Sequence, residues 1–153
     1  MNPGLDELAT LWRSEGKTIA LANGLFDILH VGHLRYLEAA AGEADILVVA
    51  VNSDRSAREL KGPGRPLVPE LERAELLAGF RCVDHVLVFN EATVAGVLGD
   101  LKPDVHCKGT DYTEETVPER GVAKKLGIRI AIVGDAKRHA TREMVARIRS
   151  DQS

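Results

Sequence analysis

Five short apolar runs, each followed by a stretch whose apolar residues recur at three-to-four spacing, constrain this chain more than any other feature. The runs are "KTIALA" (17–22), "DILVVAV" (45–51), "DHVLVF" (84–89), "DVHCKG" (104–109) and "IRIAIV" (128–133). The periodic stretches cover 31–41, 70–80, 92–101, 117–126 and 141–148, the last with Met144, Val145 and Ile148 on one side. Strand-length runs separated by helical periodicity predict alternating β and α units. The runs are continuously apolar rather than alternating, as suits parallel strands covered on both faces. The expected class is therefore α/β: a single doubly wound domain over 1–153 with a parallel sheet of about five strands, an opening helix at about 5–15 and a core at about 17–149.

Composition narrows the partners. The 153 residues carry a formal net charge of −3, which argues against a general nucleic-acid binder. Any anionic ligand must then be held by a local cluster of basic groups. The longest strongly apolar run, "ILVVAV" at 46–51, is too short to span a bilayer. The acidic, helical N-terminal stretch does not read as a signal peptide. Two cysteines, Cys82 and Cys107, make no disulfide framework and suit buried thiols. These features predict a cytoplasmic protein that engages neither membrane nor nucleic acid.

In doubly wound folds, ligands bind at the carboxyl ends of the strands. The stretch "NGLFDILHVGH" (23–33) falls at the first such end. No G-x-G-x-x-G follows the first strand, and no G-x-x-x-x-G-K-[ST] occurs anywhere. Instead the chain turns through "NGLFD", and a helix is expected to start near His30 or Val31. Backbone N–H groups at a helix mouth attract an anion, and Gly32 leaves room for a phosphate. His30 and His33, three apart, can face that same spot, where two imidazole donors would stabilise charge developing in phosphoryl or nucleotidyl transfer. A metal half-site would need further ligands, which the neighbouring sequence does not supply. Surface decoration fits the strand–turn–helix context less well than phosphate handling does. A second feature is the irregular segment "KGPGRPLVP" (61–69), whose Lys61 and Arg65 are either a solvated basic loop or a pair presented to phosphate.

Taken in order, "FDILHVGHLRYLEAA", "VAVNSD", "LKGPGRP", "ERAELLAGF", "VDHV" and "LKPDVHCKGTDY" resemble the H-x-G-H, cytidylyltransferase-like nucleotidyltransferases. Within that superfamily they resemble the adenylyltransferases that make ADP-heptose from heptose 1-phosphate and ATP. The resemblance implies a Rossmann-like fold and transfer of AMP to a sugar phosphate by direct in-line attack, with pyrophosphate leaving. Mg²⁺ is then expected on the triphosphate, held mainly by phosphate oxygens and water. His30, His33 and Lys61 are implied as catalytic. Asn23, Gly24, Leu25, Phe26, Gly32, Lys108, Gly109, Asp111 and Thr141 are implied as nucleotide-binding, with no protein metal ligand. Arg65, Arg73 and Arg142 are candidates for the acceptor's phosphate, although Arg73 serves equally well to order the loop by an ion pair. Asp111 either accepts from a sugar hydroxyl or makes an Asx turn. Asp27 either orients a group at the helix mouth or caps the turn as an N-terminal carboxylate, and the structural role is favoured. Members of the family often form homodimers. The opening helix with Trp12 offers either such an interface or a cover for the sheet edge. Bifunctional relatives also carry a sugar kinase, so here the kinase is expected to be a separate protein.

The chain departs from the family at three points. Relatives carry Ser-Thr-Ser or Ser-Thr-Thr at the start of the last helix, where this chain has Ala140, Thr141 and Arg142, preceded by His139. Arg142 can replace the lost hydroxyl with a bidentate guanidinium. Asp135 stands where cytidylyltransferases of the glycerol-phosphate type tend to carry arginine. Its repulsion of phosphate favours adenylyl transfer over the alternative, cytidylyl transfer to glycerol 3-phosphate or another polyol phosphate. "KGTDY" replaces the commoner "KGGDY". From other classes, a non-catalytic nucleotide-binding module and a structural metal protein remain alternatives.

Overall fold

The computed structural model describes residues 4–135 and 141–151, with the side chains of 141 and 142 outside the description. The chain runs α1 (Leu5–Ser14), β1 (Ile19–Gly24), α2 (Val31–Ala41), β2 (Ile46–Asn52), α3 (Asp54–Lys61), α4 (Glu70–Ala78), β3 (His85–Phe89), α5 (Ala95–Leu101), β4 (Val105–Lys108), α6 (Arg120–Leu126), β5 (Arg129–Ile132) and α7 (Thr141–Asp151). A 3₁₀ turn, Glu114–Thr116, precedes α6. All five strands are parallel, in the order β3-β2-β1-β4-β5. The central β2 is buried along its whole length, whereas the edge strands β3 and β5 are partly exposed, so the continuous apolar pattern is strongest at the centre.

Alternation along the strands divides the core into two layers. Ile19, Leu21, Val48 and Ala50 face α1, α5 and α6 through Leu5, Ala9, Leu98, Leu101 and Ala123. Ala20, Ala22, Val49, Val51 and Cys107 face α2 and α4 through Leu37, Ala40 and Leu77. Small alanines in the middle of β1 let α2 approach the sheet closely. Trp12 packs against the first of these layers and sits edge-on to His85 at the start of the edge strand, with ring centroids 6.2 Å apart. At the amino ends of the strands, Asp45, Asp84 and Asp104 each accept a backbone N–H from the neighbouring strand's entry, at Thr18, Leu47 and Ile19. These bonds set the register before the ladders begin. Among the described residues no helix is long and apolar enough to cross a membrane.

One helix escapes apolar periodicity. The segment "DRSARELK" of α3 buries only Ser56 and Ala57. Its signal is a cap instead: the Ser53 hydroxyl accepts from the Ser56 N–H at 3.1 Å. The helix runs to Lys61, so the irregular segment between α3 and α4 spans 62–69, shorter than the 61–69 expected.

Candidate active site

Chain order reverses about β1, whose neighbours are β2 on one side and β4 on the other. That reversal opens a crevice at the strands' carboxyl ends. Asn23 and Gly24 end β1 there, and Lys108 ends β4. A Cβ on Gly24 would lie 3.3 Å from the Phe26 ring, a tight contact that glycine avoids where the turn folds back. Phe26 takes a left-handed φ of 51° and is held by burial of its ring. That ring lies 5.6 Å from the His33 ring and 6.5 Å from Tyr36, centroid to centroid. The Tyr36 hydroxyl donates to the Cys107 carbonyl at 2.6 Å and ties α2 to β4. Burial raises this phenol above its ordinary range, so it stays a donor.

The two histidines cap α2 reciprocally. His30 is the N-cap residue, and its Nδ1 accepts from the Gly32 N–H at 3.1 Å. The Nδ1 of His33, at the third helical position, accepts from the His30 N–H at 3.2 Å. The geometry is that of a capping box with imidazoles in both roles. It decides the tautomer: a ring accepting at Nδ1 carries its proton on Nε2. The rings lie 4.0 Å apart between centroids, so two Nε2–H donors come from one place. The expected role of the helix mouth is corrected accordingly. The amides of His30 and Gly32 are occupied within the motif, so the remaining donor capacity of the pair lies on the imidazoles.

Arg73 is also corrected as a phosphate ligand. It is fully buried on α4. Its Nε donates to the Val68 carbonyl, one terminal nitrogen to the carbonyls of Leu25 and Asn52, and the other to Asp54 Oδ1, at 2.6–2.9 Å. Its donors are committed to four pieces of backbone and side chain, so it clamps the Leu25 turn, the end of β2, the start of α3 and the 62–69 loop to one another. Arg65 is half committed. Its Nε donates to Asp27 at 2.9 Å, and its terminal nitrogens make no hydrogen bond among the described residues. Asp27 is buried and caps no helix; it accepts from the amides of Leu67 and Val68 as well as from Arg65. Lys61, at the end of α3, is exposed and makes no hydrogen bond or ion pair among the described residues.

Burial raises the Asp27 carboxyl, but the Leu67 and Val68 amides and Arg65 outweigh it and hold the group below the ordinary carboxylate range. A depressed folded value stabilises the protein at pH values above the unfolded value of about 4, and that stability is lost as pH falls through the folded value. Asp27→Asn is expected to cost about 1–3 kcal/mol at pH 7. The gap between its melting temperature and that of the parent should narrow as pH falls below about 4. Thermal melts of both proteins across pH 3–7 check this, and a gap that persists unchanged at pH 3 would contradict it.

At the end of β4, Lys108 is buried, with its ammonium 4.5 Å from the Tyr112 ring centroid. Burial lowers its affinity for the proton, partly offset by the negative charges of Glu119 and Asp111. Gly109 follows, and a Cβ there would meet only the flexible carboxylate of Asp111, at 3.2 Å. Asp111 itself is exposed. Two buried polar groups here were not singled out from sequence. His106 lies within β4, and Glu119 accepts from the Val94 N–H at 3.4 Å through one oxygen. A histidine inside an apolar strand, as in "VHCK", was the available signal for the first.

Asp135 sits against Arg35 of α2, with 2.8 Å between guanidinium nitrogen and carboxylate oxygen. Its charge is offset by that partner, so repulsion of phosphate does not by itself separate ATP from CTP. Thr141 begins α7; its side chain and that of Arg142, together with Ala140 and His139, lie outside the described residues.

A family model described as cytidylyltransferase-like matches residues 21–147. The chain belongs to the cytidylyltransferase-like family. This nucleotidyltransferase is 41% identical over 148 residues to the bifunctional protein HldE of Syntrophotalea carbinolica, covering 97% of this chain and 30% of that protein. It is 43% identical over 149 residues to HldE of Geotalea uraniireducens, covering 95% and 30% respectively. The chain thus spans about 30% of the length of these curated relatives. The lipopolysaccharide core biosynthesis protein from Thermoplasma volcanium GSS1 shares the fold, with a TM-score of 0.68 and 28% identity over 80% of this chain and 100% of that one.

Proposed function

We propose that this nucleotidyltransferase moves AMP from ATP to a sugar phosphate, a heptose 1-phosphate, and releases ADP-sugar and pyrophosphate. The observation that carries the reading is the reciprocal capping of α2 by His30 and His33, which fixes both rings at the helix mouth beside the end of β1 with their protons on Nε2. Similarity to HldE and to a lipopolysaccharide core biosynthesis protein supports a carbohydrate acceptor.

In this mechanism a phosphate oxygen of the acceptor attacks the α-phosphorus in line. The bond from that phosphorus to the bridging oxygen breaks, and pyrophosphate takes the electron pair. Charge grows on the oxygens around the α-phosphorus and on the departing pyrophosphate, where the two imidazoles donate. Asn23, Gly24, Leu25, Phe26 and Gly32 shape the bed of the triphosphate. Lys108, Gly109 and Asp111 take the nucleotide from the β4 side, together with Thr141. Lys61 from the end of α3 and the terminal nitrogens of Arg65 from the 62–69 loop take phosphates, and Arg142 is a further candidate for the acceptor's phosphate. No nucleophilic side chain is required, because positioning and charge neutralisation supply the rate. A Mg²⁺ ion would be carried on the nucleotide, ligated mainly by phosphate oxygens and water. The ion would supply further neutralisation of the triphosphate.

Pyrophosphate release in the presence of Mg²⁺, with ATP or CTP paired in turn with sugar 1-phosphates and polyol phosphates, tests the reading. Turnover is expected with ATP and a heptose 1-phosphate. Turnover confined to CTP and a polyol phosphate would replace it with the cytidylyl alternative.

A further inference from the structure

Outside the histidine pair, a third imidazole lies in the sheet beside the nucleotide turn. His106 is fully buried, and its Nε2 is 2.8 Å from Asn23 Oδ1. Its Nδ1 is buried as well and has no partner among the described residues. Together these facts settle the direction of the bond. A proton on Nε2 donates to the amide oxygen and leaves only a bare lone pair at Nδ1. The reverse arrangement would require a flipped amide and would strand a buried N–H with no acceptor, the rarer and costlier orphan. Burial, and then the charge of Lys108, push the imidazole down to about 3, so the ring is neutral at working pH.

With Oδ1 taken, the amide nitrogen of Asn23 holds the free valence. Asn23 is half-buried, and its nitrogen makes no hydrogen bond among the described residues. The register pairs Leu21 with His106 and Ala22 with Cys107. Continued by one residue, it sets Asn23 level with Lys108, and strand alternation puts Asn23, His106 and Lys108 on one face. An amide donor beside an ammonium group suits an anionic acceptor.

We propose that His106 is a positioning residue that locks the Asn23 amide with its N–H donors turned to the phosphates of the nucleotide. The inference rests on the nucleotidyl-transfer reading. Without His106 the amide is free to rotate and present its oxygen, which repels phosphate.

The test is a double-mutant cycle on nucleotide affinity, by calorimetric titration of the full chain with ATP and with CTP, together with KM for each substrate. His106→Leu should weaken nucleotide binding about tenfold and raise the nucleotide KM, while the acceptor KM stays level. His106→Gln, which keeps an N–H donor, should recover most of the loss. In an Asn23→Ala background, His106→Leu should change affinity less than twofold. Equal affinity in parent and His106→Leu, or losses that multiply in the double variant, would overturn the inference while leaving the nucleotidyl reading intact. Absence of binding of either nucleotide by the parent chain would overturn both.

Discussion

His30→Asn is expected to lower kcat by about 10²–10³-fold while leaving the melting temperature almost unchanged. The magnitude is that of losing one preorganised donor to developing charge. Asparagine is a good N-cap residue, and its side-chain oxygen can take over from Nδ1 in accepting the Gly32 N–H. It cannot reproduce the Nε2–H. His33→Gln does the same at the other position, since glutamine is a natural third residue of a capping box and can accept from the His30 N–H. His30→Ala, in contrast, removes donor and cap together and should cost about 0.5–2 kcal/mol of stability on top of the rate. Steady-state kinetics with thermal melts on the three variants separate the two roles. If His30→Asn kept full activity, the imidazoles would be caps and nothing more.

The second large effect concerns stability. Arg73→Met should destabilise the protein by about 3–5 kcal/mol, because the carbonyls of Leu25, Asn52 and Val68 all lose their donor in the interior. For a chain of this size that corresponds to a drop on the order of 10 °C in Tm. Arg73→Lys should recover little, since a single ammonium cannot reach four acceptors spread around a planar fork. Survivors at low temperature should also be slow, because the Leu25 turn carries the nucleotide bed and small displacements there cost rate. Tm and kcat measured on both variants check this. A lysine variant as stable as the parent would mean that the clamp counts only as a charge beside Asp54.

These two predictions mark what the amino-acid pattern could and could not convey. The β units and the α2, α4 and α6 helices were legible because each buries an apolar face, and period alone reveals that. The helix α3 was not: its buried face is Ser56 and Ala57, and the bonds that seat it, from Asn52 to Ser56 and from Ser56 to the Glu91 carbonyl, leave no hydrophobic trace. His30 and His33 could be placed at a helix mouth from spacing, yet their reciprocal capping depends on ring orientation. Arg73 could be read either as a phosphate ligand or as a loop clamp for a similar reason. A charged side chain advertises affinity for a ligand, and only tertiary placement reveals that its valences are filled from within. His106 was concealed the other way, as a polar residue in a strand that reads apolar around it.

The most direct test follows the α-phosphorus. With ATP labelled at the α-phosphate, Mg²⁺ and a heptose 1-phosphate, the label should move into a sugar nucleotide in one-to-one ratio with pyrophosphate. No label should remain on the protein, and the transfer should fail in His30→Asn. Label released as free AMP without acceptor, or carried on the chain itself, would contradict direct transfer at the histidine-capped mouth of α2.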